Sequence, residues 1–179
     1  MKSIKLTLTG LIIIVISVLT INYFALQRHM NGILSSDDRN SGLRVWVHYK
    51  YFINPAELKY DLRGISENNS TLDVTRVLLQ FAEKTKSKEF KKVYLSYRGE
   101  DKFYLNGIYF QKLGEEYSFQ NPVYTLRTMP ENVHLLDGEL AYESWQGGWL
   151  GVSTKQMQDL NQFAQDWFLY EVIKEISKK

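Results

Sequence analysis

The chain of 179 residues holds three histidines and no cysteine, which narrows the chemistry open to it. Without cysteine there are no disulfides, no thiolate nucleophile and no Cys-based metal site. His29, His48 and His134 lie far apart, and a zinc site would need carboxylate help that no local spacing suggests. One acid–base pairing is conceivable, His48 with Asp101 or Glu100, and Glu115 and Glu116 are further carboxylates of the same kind. A general base must reach its proton within hydrogen-bond distance, and nothing in the spacing requires these groups to meet. The zinc-protease pattern H-E-x-x-H, the nucleophile elbow G-x-S-x-G, the P-loop and the dinucleotide pattern G-x-G-x-x-G are all absent. The expectation is a chain with no cofactor, no metal and no catalytic motif, leaning away from an enzyme.

Two sets of side chains suit binding instead. Trp145, Gln146, Gly147, Gly148 and Trp149, with Gly151 just beyond, place two indoles around a glycine pair. Such a loop can form a mobile aromatic lip that stacks on a sugar or grips a peptide. The same residues also suit two indoles folded into the core, with the glycines allowing a close approach to the last helix. The second set is Arg44, Trp46, His48 and Lys50, joined by Tyr94, Ser96 and Arg98 if their strands are neighbours, and by Arg127 from a fourth strand. Arginine and aromatic contacts on one face can hold an anionic or carbohydrate group. The alternative is the polar side of a sheet buried on its other face.

These sets are positioned by a short series of elements. Leu43, Val45, Val47, Tyr49 and Tyr51 alternate with Arg44, Trp46, His48, Lys50 and Phe52, the period-two pattern of a half-buried strand, which Asn54 and Pro55 stop. Residues 54–70 read as irregular, with turn chemistry at Gly64 and at Asn68, Asn69 and Ser70. Thr71 to Lys86 reads as a helix capped by Ser70 or Thr71, with Asp73 at its positive end and Val74, Val77, Leu78 and Phe81 as its apolar face. Lys84, Lys86, Lys88, Lys91 and Lys92 follow, either as a solvated helix end or as a contact for anionic lipid or polymer.

Lys92 to Arg98 and Phe103 to Leu105 read as strands around a turn at Gly99, Glu100 and Asp101. Asn106-Gly107 suits either a two-residue hairpin turn or the cap of a helix through Tyr117, and the poor strand spacing of Ile108, Leu113 and Tyr117 favours the helix. Val123 to Met129 reads as a strand between two prolines, and residues 131–152 are mostly loop. The last helix is expected to open with a capping box of Ser153 and Gln156. It would turn Met157, Leu160, Ala164, Trp167, Ile173 and Ile176 toward the core, ending at Lys178 and Lys179. The order of elements predicts an α+β domain, an N-terminal transmembrane helix followed by a small antiparallel sheet packed by helices on one face.

The run from Leu6 to Leu26 organises everything else. It carries no charge, and 13 of its 21 residues are Leu, Ile, Val or Phe. As a helix it spans roughly 31 Å, matching the ~30 Å hydrocarbon core of a bilayer. A soluble core helix of this length would be polar on one side, whereas Leu11 to Ile16 is apolar all round. A cleaved signal has an apolar stretch of about 7–15 residues ending at a small-x-small site. Here the run is longer, and bulky Tyr23 stands two positions before Ala25.

The expected organisation is therefore a cytoplasmic tail at 1–5, a retained signal-anchor at 6–27, a tether at 28–42 and an extracytoplasmic domain at 43–179. Asp37, Asp38 and Asn40 lack calcium-loop spacing and read as linker. Lys2 and Lys5 precede the span and Arg28, then Asp37 and Asp38, follow it, so the positive-inside rule puts the N-terminus in the cytoplasm. In a two-membrane bacterium the domain would be periplasmic. Residues 1–30 hold 3 of the 22 basic side chains and no acid, leaving 19 against 20 and a net charge of −1. A near-neutral domain is a poor partner for nucleic acid.

The expected partners are the bilayer, through residues 6–26, and an envelope polymer or a protein. A non-enzymatic binding or interaction module fits these features. An envelope hydrolase or transferase, or an accessory subunit of a membrane complex, are the alternatives.

Overall fold

The computed structural model describes residues 2–177. Met1, Lys178, Lys179 and the side chains of residues 2–6 and 8 lie outside the described residues, and with them the tail charges Lys2 and Lys5 and the lysine end of the last helix. The helices are α1 (Lys2–Asn22), α2 (Arg28–Ser35), α3 (Thr71–Thr85), α4 (Gly107–Glu116), α5 (Pro122–Thr128), α6 (Trp149–Ala164) and α7 (Tyr170–Ile176). The strands are β1 (Arg44–Lys50), β2 (Asn54–Gly64), β3 (Lys92–Tyr97), β4 (Glu100–Asn106) and β5 (Val133–His134). They form one sheet in the order β1-β2-β3-β4-β5. The fold is α+β as expected, but the sheet is mixed rather than antiparallel. The β2–α3–β3 crossover makes β2 and β3 parallel, while the other neighbours are antiparallel.

Residues 54–64 form the long strand β2 and not a loop. Leu58, Tyr60 and Leu62 alternate there with Lys59, Asp61 and Arg63, and Pro55 sits near the start, where a missing N–H is tolerated. Val123–Thr128 is a helix and not a strand. Asn121 caps it by accepting from the Val123 N–H at 2.9 Å, and Pro122 takes the first helical position, where its fixed φ is already right. The capping box of α3 is present, Ser70 and Asp73 bonding one another's backbone. Asn106 caps α4 through the Ile108 N–H at 3.0 Å. Gly114 of α4 is needed for close approach, since a Cβ there would lie 2.3 Å from the Ala82 carbonyl oxygen of α3.

One face of the sheet carries Val45, Val47, Leu58, Tyr60, Leu62, Val93, Leu95 and Leu105, all buried. Against it pack the apolar side of α3 and the C-terminal helix, whose Trp167 is fully buried and donates to the Ser96 carbonyl at 3.2 Å. The last helix differs from expectation at both ends. It begins at Trp149 with Gly148 as N-cap, and Ser153 bonds the Leu150 carbonyl rather than capping. Leu160, Ala164 and Trp167 are buried and Met157 is exposed, and a π-helical turn at Gln165–Leu169 adds a residue to the register beyond which Ile173 and Ile176 are exposed.

The N-terminal helix has two halves of opposite character. From Leu11 to Ile21 its large apolar side chains, half-buried Val18 apart, are 49 to 61% exposed, and among the described residues this is the helix long and apolar enough to cross a membrane. From Leu26 onward the same helix belongs to the domain, with Leu26 and Met30 fully buried and Ile33 nearly so. Residues 28–42 are thus built into the domain and are not a free tether. Asn40 is buried, donates to the Ile33 carbonyl at 2.8 Å and accepts from Arg76 at 2.8 Å. Asp37 caps the short 3-10 turn Asp38–Asn40.

The join between the halves is a π-helical turn, Tyr23–Gln27. Edge strand β1 has no neighbouring strand on its outer side, and amides from the helix take that place. The Asn22 side chain accepts from the Tyr49 N–H at 2.8 Å and donates to the Phe52 carbonyl at 2.7 Å. Gln27 accepts from the Val47 N–H at 2.8 Å and donates to the Val45 carbonyl at 3.1 Å. The helix therefore runs antiparallel to β1 and closes an edge that would otherwise invite pairing with another chain.

Candidate functional site

The second face of the sheet carries a continuous set of cations and rings. At its β1 end Trp46, His48 and Phe52 cluster, with the His48 and Phe52 rings stacked at 4.2 Å and Trp46 at 4.7 Å from His48. The Arg63 guanidinium lies 4.9 Å over Trp46 and pairs at 2.6 Å with the fully buried carboxylate of Asp61, which also accepts from the Gly99 N–H. In the middle, Asp101 holds three partners: Lys50, Lys59 at 2.8 Å and the Ser96 hydroxyl at 2.6 Å. Lys50 also stands 3.6 Å over the Tyr94 ring. Toward β5, Lys92 lies over Tyr104 at 4.1 Å, and Tyr104 stacks on His134 at 4.9 Å.

This pattern follows from the strand register. Val47 pairs with Tyr60, and Tyr60 with Leu95, on the buried face, so His48, Lys59 and Tyr94 point the other way. A depression of about 410 Å³ opens among Trp46, His48, Lys50, Lys59, Arg63 and Asp101. Its charges are three cations against the carboxylates of Asp61 and Asp101, an excess of one positive charge.

Burial works against the charge on Asp101, but the hydrogen bonds from Lys50, Lys59 and Ser96 outweigh it and hold its carboxyl below the usual range. Burial pushes the His48 imidazole down, and the nearby Lys59 and Arg63 act in the same direction. The His48 ring nitrogen bonds the Tyr49 carbonyl at 2.7 Å and no carboxylate. His48 and Asp101 thus line one depression without forming an acid–base pair. Glu100 pairs with Lys102 and Glu116 with Lys112, while Glu115 is exposed on α4. Such a face can hold an anionic group against Lys59 and Arg63 beside a flat ring on Trp46.

The other side chains singled out from the sequence do not join this face. Arg98 sits in the β3–β4 turn at φ +49° and pairs with Glu175 of α7, lining with Arg44 a separate depression of about 520 Å³ at the far end of the sheet. Arg127, on helix α5 and not on a fourth strand, lies 5.4 Å from the Tyr124 ring. The two indoles of the 145–149 loop separate. Trp145 donates to Asp159 at 2.5 Å with Lys155 over its ring, whereas Trp149 opens α6 at 70% exposure. Gly147 has φ +133° and Gly148 is the N-cap.

Lys59, Asp61 and Arg63 were hidden because their strand reads as a loop, although the alternation of Leu58, Tyr60 and Leu62 marks them. Among the described residues no group of three or more His, Asp or Glu side chains is placed to hold a metal ion. No family model matches the chain, and no curated protein or solved structure is similar to it.

Proposed function

We propose that the chain is a single-pass membrane-anchored domain, N-terminus in the cytoplasm and domain on the opposite side, that works as a binding module through the open face of its sheet. In a two-membrane bacterium that side is the periplasm. The carrying observation is the N-terminal helix, bare and apolar through Ile21 and then, without a break, bonded to β1 by Asn22 and buried at Leu26 and Met30. Removing a signal at Ala25 would strip away Asn22 and leave the Tyr49 N–H and the Phe52 carbonyl of the β1 edge without that partner, which supports a retained anchor. The engagement of His48 with a backbone carbonyl and of Asp101 with two ammonium groups supports binding over proton transfer. The ligand that fits is an anionic group carrying an apolar or ring-shaped part, on an envelope polymer or a protein.

The test is site-specific photo-crosslinking in cells from position 46, compared with position 149, on membranes washed with alkaline carbonate. The reading expects the chain to stay with the washed membrane and to give an adduct from position 46 that disappears in Lys59→Gln/Arg63→Gln. Release by carbonate would overturn the anchor. A position-46 adduct indifferent to that double substitution, or adducts from 149 alone, would overturn the site.

A further inference from the structure

We infer that the end of the domain beside the anchor rests on the lipid itself, with the β1–β2 turn entering the interfacial layer and a lysine-rich loop lying on anionic headgroups. The inference rests on the anchored reading above and adds a second contact with the same bilayer.

Three observations place the parts. Because the helix runs antiparallel to β1, the turn that follows β1 extends toward the apolar span. Asn22 fixes its level by donating at once to the Val18 carbonyl within the span and to the Phe52 carbonyl of the turn. At that level Tyr51 is 74% and Ile53 72% exposed, beside Tyr23 and Phe24 of the helix, which are also exposed. Aromatic side chains collect at this depth of a membrane protein.

The turn also carries an expensive conformation. Tyr51 and Phe52 stand at φ +54° and +66°, where glycine or asparagine is the usual occupant. Phe52 is compensated by its stack on His48 and its bond to Asn22. Tyr51 stands at the rim of the open-face depression, largely exposed, with the Lys50 ammonium 5.5 Å from its ring. An exposed aromatic at a strained position is accounted for if its ring has lipid to enter.

The third observation is topological. Since β3 runs parallel to β2, it starts at the turn end of the sheet, where the Lys91 N–H bonds the Ala56 carbonyl at 2.6 Å. The preceding helix α3 must therefore deliver its C-terminus to that end. Lys84, Lys86 and Lys91 are exposed there and Lys88 half-buried, and none of the four is in an ion pair among the described residues. Lys84 lines one depression with Phe24 and Arg28, which puts it just beyond the apolar span. The carboxylates in this region are Glu57, Glu83 and Glu89, fewer than the cations. Clustered lysines next to a span are drawn to anionic lipid.

The absence of cysteine makes the test direct. The full chain is labelled with an environment-sensitive fluorophore at Ile53→Cys, at Ile16→Cys in the anchor and at exposed Asn68→Cys at the far end, then reconstituted in nanodiscs containing spin-labelled lipid. Discs of phosphatidylcholine are compared with discs that include phosphatidylglycerol. The expected result is quenching at 53 at least half as strong as at 16, none at 68, and an increase at 53 with phosphatidylglycerol that Lys84→Gln/Lys86→Gln/Lys88→Gln/Lys91→Gln abolishes.

Quenching at 16 with an aqueous signal at 53 would overturn this inference and leave the anchor standing. No quenching at 16 would remove the anchor and the inference with it. Quenching at 53 indifferent to phosphatidylglycerol would overturn the headgroup contact.

Discussion

Asn22 and Gln27 stand five residues apart on one helix and bond the same edge of β1, a placement that a regular α-helix forbids. Five residues at 3.6 per turn leave two side chains about 140° apart. The π turn between them takes up the extra residue and returns both amides to one face. Asn22→Ala leaves the Tyr49 N–H and the Phe52 carbonyl without their partner, at a cost of about 1–3 kcal/mol. The sharper expectation compares length changes. Deleting Ala25 brings the two amides to a four-residue spacing, which a plain α-helix satisfies, whereas inserting an alanine beside it separates them. Thermal unfolding of the full chain in detergent should show the insertion as much the more destabilising.

Asp101→Asn leaves the Lys50 and Lys59 ammonium groups facing one another without a counter-charge, both only slightly exposed. Breaking such a pair from one side is expected to cost about 2–4 kcal/mol. The Asp101 pKa lies below its ordinary value of 3.8 in the fold, so its contribution is complete above that pH and is lost as pH falls through the folded value. Acid titration of the variant should lack that part of the wild-type loss.

His48 behaves in the same sense at higher pH. Its folded pKa lies below the ordinary 6.5, so the unfolded chain takes up the proton first and stability falls as pH drops from above 6.5 toward the folded value. His48→Phe keeps a ring against Phe52 and has nothing to titrate. Its melting temperature should change less between about pH 7.5 and pH 5, two values that bracket the ordinary imidazole value of 6.5, than that of the wild type.

The indoles of the 145–149 loop should respond differently. Trp149→Ala removes an exposed side chain and is expected to shift stability by less than about 0.5 kcal/mol. Trp145→Ala breaks the bond to Asp159 and the contact with Lys155, for about 1–2 kcal/mol. Chemical denaturation of the two variants decides this, and equal losses would contradict the placement of Trp149.

The elements visible in the sequence were those whose local chemistry agreed with their final place. The alternation of β1, the Ser70 cap of α3 and the Asn106 cap of α4 all did so. β2 was obscured because Asn54 and Pro55 are turn formers by type and only their position at a strand's start makes them tolerable. α5 was obscured because the six residues after Pro122 suit either state, and the deciding signal was the Asn-Pro pair before them. The exposure of Ile173 and Ile176 depended on the π turn at Gln165–Leu169, which no spacing announces.

The open face was half legible. Trp46, His48, Lys50, Tyr94 and Ser96 belonged together, but Arg98 and Arg127 left the group, one through a left-handed turn and one through a helix. In the N-terminal helix, the spacing of Leu26, Met30 and Ile33 was present in the sequence but was overshadowed by the arithmetic of a membrane span.

Because the N-terminal helix runs antiparallel to β1 and is stitched to it by two amides, β1 and its partner β2 follow the line of the apolar span, and the later strands turn away from it with the twist of the sheet. Under the anchoring proposed above, such a body stands upright on the lipid like a fin, its charged side turned sideways and not up toward the bulk. Under that proposal the molecules it meets broadside are its neighbours in the same membrane, within a height set by β2, whose 11 extended residues rise roughly 35 Å.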